Sequence, residues 1–342
     1  MQLFVCQYVN SNHNLLVNES GGLVLDPYII ERLRQSAGPV SGQLMAEELG
    51  LSRVALWKRI EALKAWGYGI EASRRGYILV HDDGLAPWDF EAPGPVHLFD
   101  DIPSTMDKAH ELAQAGAASG TMVLALRQSA GRDRSGAAWL SPAGGLYLSL
   151  VLRSDLPPAL AGTLVLEAAR LILTLLKETG VGDLGFEWPG SLLARSGRLG
   201  GLLLEFSGAL GRADYFVLGL GINVAPVRES SREPVREPIS DPIWNSHRLM
   251  SLVELEGKPP QRAKLAAQLA RALTHWVADP VLDPGSWIDL LPVGPQSALL
   301  WTGESVDIMP VAYTSRGELL CAGGRLLSIG ECVKLHAKGA SE

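Results

Sequence analysis

The sequence predicts an α+β chain in three parts: an N-terminal winged helix-turn-helix, a central domain on a mixed sheet, and a small C-terminal β-barrel. Three observations lead there. Two capped helical stretches joined by Leu49-Gly50-Leu51-Ser52 precede a basic hairpin. From Val96 to Ile222 apolar runs of strand character alternate with helical ones. In the last fifty residues, short apolar segments are split by glycine-containing turns.

Residues 1–26 carry no helical stripe and read as an extension. From Pro27 a helix runs through Ile29, Ile30 and Leu33 and ends at Ser36 to Gly38. Ser41 caps a short helix that stops at Gly50, and Ser52 caps a second one from Arg53 to Trp66, closed by Gly67. In the second helix Leu56, Ile60 and Leu63 share the buried stripe, which turns Arg53, Trp57, Lys58 and Lys64 away from it. Tyr68 to Glu71, the basic turn Ser73-Arg74-Arg75-Gly76 and Tyr77 to Val80 form the wing of a DNA-binding domain at 27–80, with Ser52, Arg53, Trp57, Lys58, Lys64, Arg74 and Arg75 as DNA-facing residues. Its eight Lys/Arg against five Glu give +3 in a chain of net charge −7, leaving −10 elsewhere, so the whole-chain sum hides a basic module.

Residues 81–95, rich in Asp, Gly and Pro, read as linker. Beyond it come a strand at Val96 to Phe99, a helix capped by Ser104, strands at Thr121 to Leu126 and Leu146 to Leu152, and a long apolar helix from Ala159 to Glu178. Strands at Gly185 to Pro189, Leu199 to Phe206 and Asp214 to Ile222 complete the central domain, 96–290. Residues 225–245, with the echo REPV and REPI, read as an exposed loop, and Pro260 to Ala278 as an amphipathic helix. The barrel occupies 291–342, with strands expected from Ser305 onward. Three widely spaced cysteines, Cys6, Cys321 and Cys332, indicate neither a disulfide framework nor a zinc site, and no metal ligands are expected. With no apolar run judged long enough to span a membrane and no signal-peptide pattern, the expected location is the cytoplasm, without a membrane partner.

The chemistry centres on Gln128 to Trp139, QSAGRDRSGAAW, where a strand empties into a flexible loop bearing two guanidinium groups. Glycine-freed amides and planar guanidinium forks suit a phosphate or carboxylate. A solvated surface turn is the other reading of this segment alone.

In order, SRVALWKRIEALKAWGY, RRGYIL, PSTMDKA, QSAGR, WLSPAGGLYLSLVLR, WP, GGLLLE and GLGIN resemble the bacterial biotin protein ligases that double as biotin operon repressors. The resemblance implies a ligase-like central domain and an SH3-like barrel. It also implies that biotin and ATP, with Mg, combine to biotinyl-5′-adenylate and that biotin passes to a carboxyl carrier protein domain. Operator DNA and a homodimer are the further partners implied. Position by position, it places Ser104, Thr105, Gln128, Gly131, Gly200 and Gly201 at biotin, Arg132 and Arg134 in the catalytic loop, and Trp139, Arg198 and Asn223 at the nucleotide. Ser104 also reads as a plain helix cap, Trp139 as core and Asn223 as a turn residue.

The departures lie at the charged positions. The family's GRGRRGRKW is GRDRSGAAW here, and its KWPND is EWPGS, so Glu187 replaces the motif lysine. At an effective dielectric of about 20, a charge 4 Å from a phosphate contributes roughly 4 kcal/mol, so reversing its sign is a large change. Adenylation is therefore expected to be weakened unless Arg195, Arg198 or Lys334 reaches the site, or Glu187 pairs with Arg132 or Arg134. Two readings follow: a bifunctional ligase and repressor, or a catalytically silent DNA-binding regulator that senses biotin, its adenylate or another ligand. A lipoate-type ligase ranks below both.

Overall fold

The computed structural model describes residues 25–195, 197–209, 211–226, 248–255 and 261–337. Residues 1–24 of the expected N-terminal extension and nearly all of the loop expected at 225–245 lie outside the described residues, whereas Leu25 and Asp26, expected in the extension, open the first helix, with Asp26 paired to Arg59 at 2.6 Å. The described residues divide into two compact units, one holding those up to Glu91 together with Gln261–Lys264, the other holding the remaining described residues from Ala92.

In the first unit, α1 (Leu25–Arg34), α2 (Gly42–Glu48) and α3 (Arg53–Ala65) precede a hairpin of β1 (Gly69–Ser73) and β2 (Gly76–His81). Ser41 and Ser52 cap α2 and α3 by accepting from the amides of Leu44 and Ala55, as the sequence predicts. Ile29, Ile30, Met45, Leu56, Ile60 and Leu63 close one core between the helices and the hairpin. The stretch expected as linker packs into this unit: Leu85 and Ala86 are fully buried, and Arg34 bridges Asp82 and Asp89 at 2.8 and 3.0 Å. Asp83 meets the buried guanidinium of Arg262 at 2.8 Å. Ion pairs to Arg34 and to the buried Arg262, invisible to a Gly/Pro count, tie the segment down as far as Asp89.

In the second unit a seven-stranded sheet has the order β3-β4-β5-β9-β8-β7-β6. Its strands are β3 (Val96–Phe99), β4 (Met122–Ala125), β5 (Leu146–Leu152), β6 (Leu184–Glu187), β7 (Ser191–Ala194), β8 (Gly197–Ala209) and β9 (Arg212–Ile222). Only the β3–β4 pair is parallel. The sequence reading missed β7, because Ser-Leu-Leu-Ala lacks β-branched residues and follows a three-residue turn. It also started β8 late, at Leu199, because its opening glycines read as loop.

The helix α4 (Thr105–Gln114) packs through Met106, Ala109 and Ala113 on Val123, Val151, Tyr215 and Val217 of the sheet. The helix α5 (Ala161–Lys177) is nearly all apolar. With its preceding turn, Pro158–Lys177 is by length and composition apolar enough to cross a membrane, which corrects the expectation that no run is long enough. Yet 67% of that window is buried inside the protein, as in a core helix.

After α6 (Arg262–Ala278), the C-terminal strands form two three-stranded antiparallel sheets where a small barrel was expected. One is β11-β10-β15, from β10 (Gln296–Leu300), β11 (Ser305–Ile308) and β15 (Cys332–Ala337). The other is β12-β13-β14, from β12 (Pro310–Tyr313), β13 (Leu319–Cys321) and β14 (Leu326–Leu327). Of these, β10 was not foreseen.

Candidate functional site

The second unit holds a cleft, open to solvent, over β5, β8 and β9. Strand register builds its floor. Ser149 lies opposite Gly219, and Gly219 opposite Leu203, in one row across β5, β9 and β8; Tyr147, Gly221 and Gly201 form the next. Glycines remove the side chains from this floor. A Cβ on Gly221 would lie 2.6 Å from Trp139 Nε1, and one on Gly219 would lie 2.7 Å from Met106 Sδ.

Over the floor stands the N-terminus of α4. Ser104 caps it by accepting from the Asp107 amide, while Thr105 enters a closed polar network. The Thr105 hydroxyl accepts from Ser149 Oγ at 2.9 Å and donates to Gln128 Oε1 at 3.0 Å, and the Thr105 amide donates to the same oxygen at 2.8 Å. Gln128 Nε2 donates to Ser141 Oγ at 2.9 Å, and that hydroxyl donates to the Trp139 carbonyl. Sequence reading missed Ser141 and Ser149; the strand pairing Ser149↔Gly219 is the signal that places a serine under Thr105. Gly131 is required at its position because a Cβ would lie 2.8 Å from the Trp139 carbonyl and 2.9 Å from Ser141 Oγ.

The loop's charges are arranged otherwise than expected. Asp133 holds its own turn while lining the cleft: its Oδ1 accepts from Ser135 N, Ser135 Oγ and Ala137 N at 2.7–3.0 Å, in the turn that carries Gly136 at φ +83°. Arg132 does not meet Glu187; it donates to Asp107 at 2.6 Å and to Glu205 at 3.2 and 3.3 Å. His110, hydrogen-bonded to Glu205 at 2.8 Å, and Arg132 hold the Glu205 carboxyl below the usual carboxylate range. Arg134 lies over the Trp301 ring, 5.8 Å from its centroid, and burial lowers its pKa. The nearby Cys332 thiol is pushed up to about 12 by burial, so no thiolate offsets the Arg134 charge.

At the other side, Glu187 ends β6, and the turn through Trp188 and Pro189 leads into β7. Gly190 cannot carry the family's side chain as the strands lie, because a Cβ would come 2.7 Å from the Leu202 carbonyl. Two of the three cations considered as compensation, Arg198 and Lys334, line the cleft; Arg195 does not. Ser104, Thr105, Gln128, Arg132, Arg134, Trp139, Glu187, Arg198 and Gly201 are thus brought together, whereas Gly131, Gly200 and Asn223 lie outside the lining. A Cβ on Gly200 would meet the Gly221 carbonyl at 2.4 Å, so that glycine serves strand pairing.

In the first unit Ser52, Arg53, Trp57 and Lys58 are exposed on α3, as are Arg74 and Arg75 at the hairpin turn. Lys64 is half-buried and paired with Glu61 at 2.8 Å. Val54, 64% exposed beside Arg53, is an apolar member of the same helix that the sequence reading passed over.

A helix-turn-helix family model matches residues 28–78, and the biotin/lipoate A/B protein ligase family model matches 98–223. The bifunctional ligase/repressor BirA of Bacillus subtilis is 36% identical over 207 residues, which are 57% of this chain and 64% of that protein. The chain therefore spans a little under two thirds of that relative. The biotin--[acetyl-CoA-carboxylase] ligase of Mycobacterium tuberculosis is 31% identical over 64% of this chain and 80% of its own length. The solved biotin protein ligase from Aquifex aeolicus, in complex with biotin and ATP, superposes with a TM-score of 0.54 at 23% identity, over 70% of this chain and 98% of that one. That likeness is one of fold.

Proposed function

The chain belongs to the biotin/lipoate A/B protein ligase family, and on that premise we propose that it activates biotin with ATP in the cleft and passes it to a carrier lysine. The same chain would act on operator DNA through α3 and the β1–β2 hairpin, as a cytoplasmic homodimer. The observation that carries this reading is one cleft with two chemistries. The Ser149–Thr105–Gln128–Ser141 hydroxyl and amide groups fit the donors and acceptors of a ureido ring, and Arg134, Arg198 and Lys334 line the same space.

In the reaction proposed, a biotin carboxylate oxygen bonds to the α-phosphorus as pyrophosphate leaves. The carrier amine then attacks the acyl carbon and AMP departs. The residues' task is to hold the two reactants in line and to offset phosphate charge with fixed cations. Among the described residues no group of three or more His, Cys, Asp or Glu could hold a metal. In this proposal Mg²⁺ would be carried in on the nucleotide's own phosphates.

A second reading, the silent regulator, is favoured by Glu187 in the motif lysine's place and by Arg132 tied to Asp107 and Glu205. Incubation of the full chain with biotin, ATP-Mg and an apo carrier domain separates the two. Label on the carrier supports the ligase. Biotin binding by calorimetry with neither adenylate nor label supports the regulator. For the DNA-binding half, Lys58→Ala should weaken duplex binding and lower the salt slope by about one; unchanged affinity and slope would refute that face.

A further inference from the structure

We infer that Lys334, on the last strand, supplies the phosphate-facing positive charge that the motif position occupied by Glu187 no longer provides. This rests on the cleft being an adenylate site, and it names the residue on which that site's charge depends.

Lysine heads ordinarily reach water along their flexible stems. Lys334 does not: it is 7% exposed, in a strand whose neighbours Cys332, Val333 and Leu335 are also buried. Its backbone is fixed, since β15 pairs with β10 through Lys334↔Leu299 and Leu335↔Ala298. Keeping an ammonium charged in such a place is costly in lost hydration unless anionic groups face it. Glu187, at the end of β6, lines the same cleft and brings one such charge.

The charges lining the cleft favour an anionic ligand. Arg132, Arg134, Arg198 and Lys334 are cationic, and Asp133 and Glu187 acidic. Four cations against two carboxylates leave an excess of two positive charges on the lining, and Lys334 supplies one of the four, so removing it halves that excess. The exchange of lysine for glutamate at 187 is thus matched by a buried lysine on a strand distant in sequence, and the site's sign is kept while its source moves.

The test uses the full chain with biotin and biotinyl-5′-adenylate as separate calorimetric probes, on wild type, Lys334→Met, Lys334→Arg and Glu187→Gln. Lys334→Met should bind the adenylate about tenfold or more weaker, with a shallower salt dependence, while biotin affinity stays within about twofold; Lys334→Arg should recover most of the loss. A folded Lys334→Met that binds the adenylate like wild type, or loses both probes by one factor, overturns the inference. If Lys334→Met does not fold, Glu187→Gln decides: severalfold tighter adenylate binding supports the inference, and unchanged binding overturns it. Lys334-dependent adenylate binding by a chain that labels no carrier would sink the ligase reading and leave this one standing. Full carrier labelling by Lys334→Met would do the reverse.

Discussion

The two sides of the cleft are built by opposite means. On the polar side, Thr105, Gln128, Ser141 and Ser149 form a closed hydrogen-bond network on the N-terminus of a helix and the sheet beneath it. On the cationic side, Arg134 leans on Trp301, Arg132 is tied to two carboxylates, and a buried lysine comes from the last strand. A network of short, mutually satisfied bonds tolerates little change in any one member, because each deletion orphans a buried partner. Charges act at longer range and need only the right sign near the right place, so they can be supplied from a different segment. That difference explains how Ser104, Thr105 and Gln128 can match the resembled motifs while Glu187, Ala137 and Ala138 stand at basic positions of those motifs, with Arg132 and Arg134 retained.

Substitutions on the two sides should separate them. The largest effect is expected for Thr105→Val, which keeps the shape and removes the hydroxyl joining Ser149 to Gln128. Each buried group left without its partner costs about 1–3 kcal/mol, read as a lower urea midpoint, and biotin affinity should fall with it. Unchanged stability and biotin binding would mean the network is incidental.

Arg134→Ala comes next. Its stacking on Trp301 contributes about 0.5–1 kcal/mol at a partly exposed site, so unfolding should shift only slightly while adenylate dissociates faster in stopped-flow displacement. A large loss of stability with no change in dissociation would make Arg134 a packing residue.

The smallest effect belongs to Glu205→Gln, which releases one tie on Arg132 at a cost of about 1 kcal/mol or less. Because His110 and Arg132 depress the Glu205 pKa, its stabilising contribution is complete above the ordinary carboxylate pKa of about 4.3. It is lost as pH falls through the lower folded value. Acid unfolding of the variant should accordingly show a shallower pH dependence; an identical acid limb would remove Glu205 from the account.

Much of this was legible in the sequence, and for a physical reason. Caps at Ser41, Ser52 and Ser104, the buried stripe Leu56, Ile60 and Leu63, and the order of the strands are local signals, each resolved within a few residues. What escaped reading was set by pairing between distant segments. Ser149 shows its role only through its register with Gly219, and the strand at Ser191–Ala194 forms because it pairs with both Leu184–Glu187 and Gly197–Ala209. Asp133 read only as an added negative charge, and the turn it holds through Ser135 and Ala137 was not foreseen. Composition marked 81–95 as linker, whereas Asp82, Asp83 and Asp89 anchor its first part through Arg34 and Arg262.

The separation of the two sides is tested most directly by paired calorimetric titrations of Thr105→Val and Arg134→Ala with biotin and with biotinyl-5′-adenylate. Thr105→Val should lose affinity for both ligands by a similar factor, since both carry the ureido ring. Arg134→Ala should lose affinity for the adenylate alone. Equal losses of both ligands in Arg134→Ala would contradict a cleft with separable polar and cationic sides.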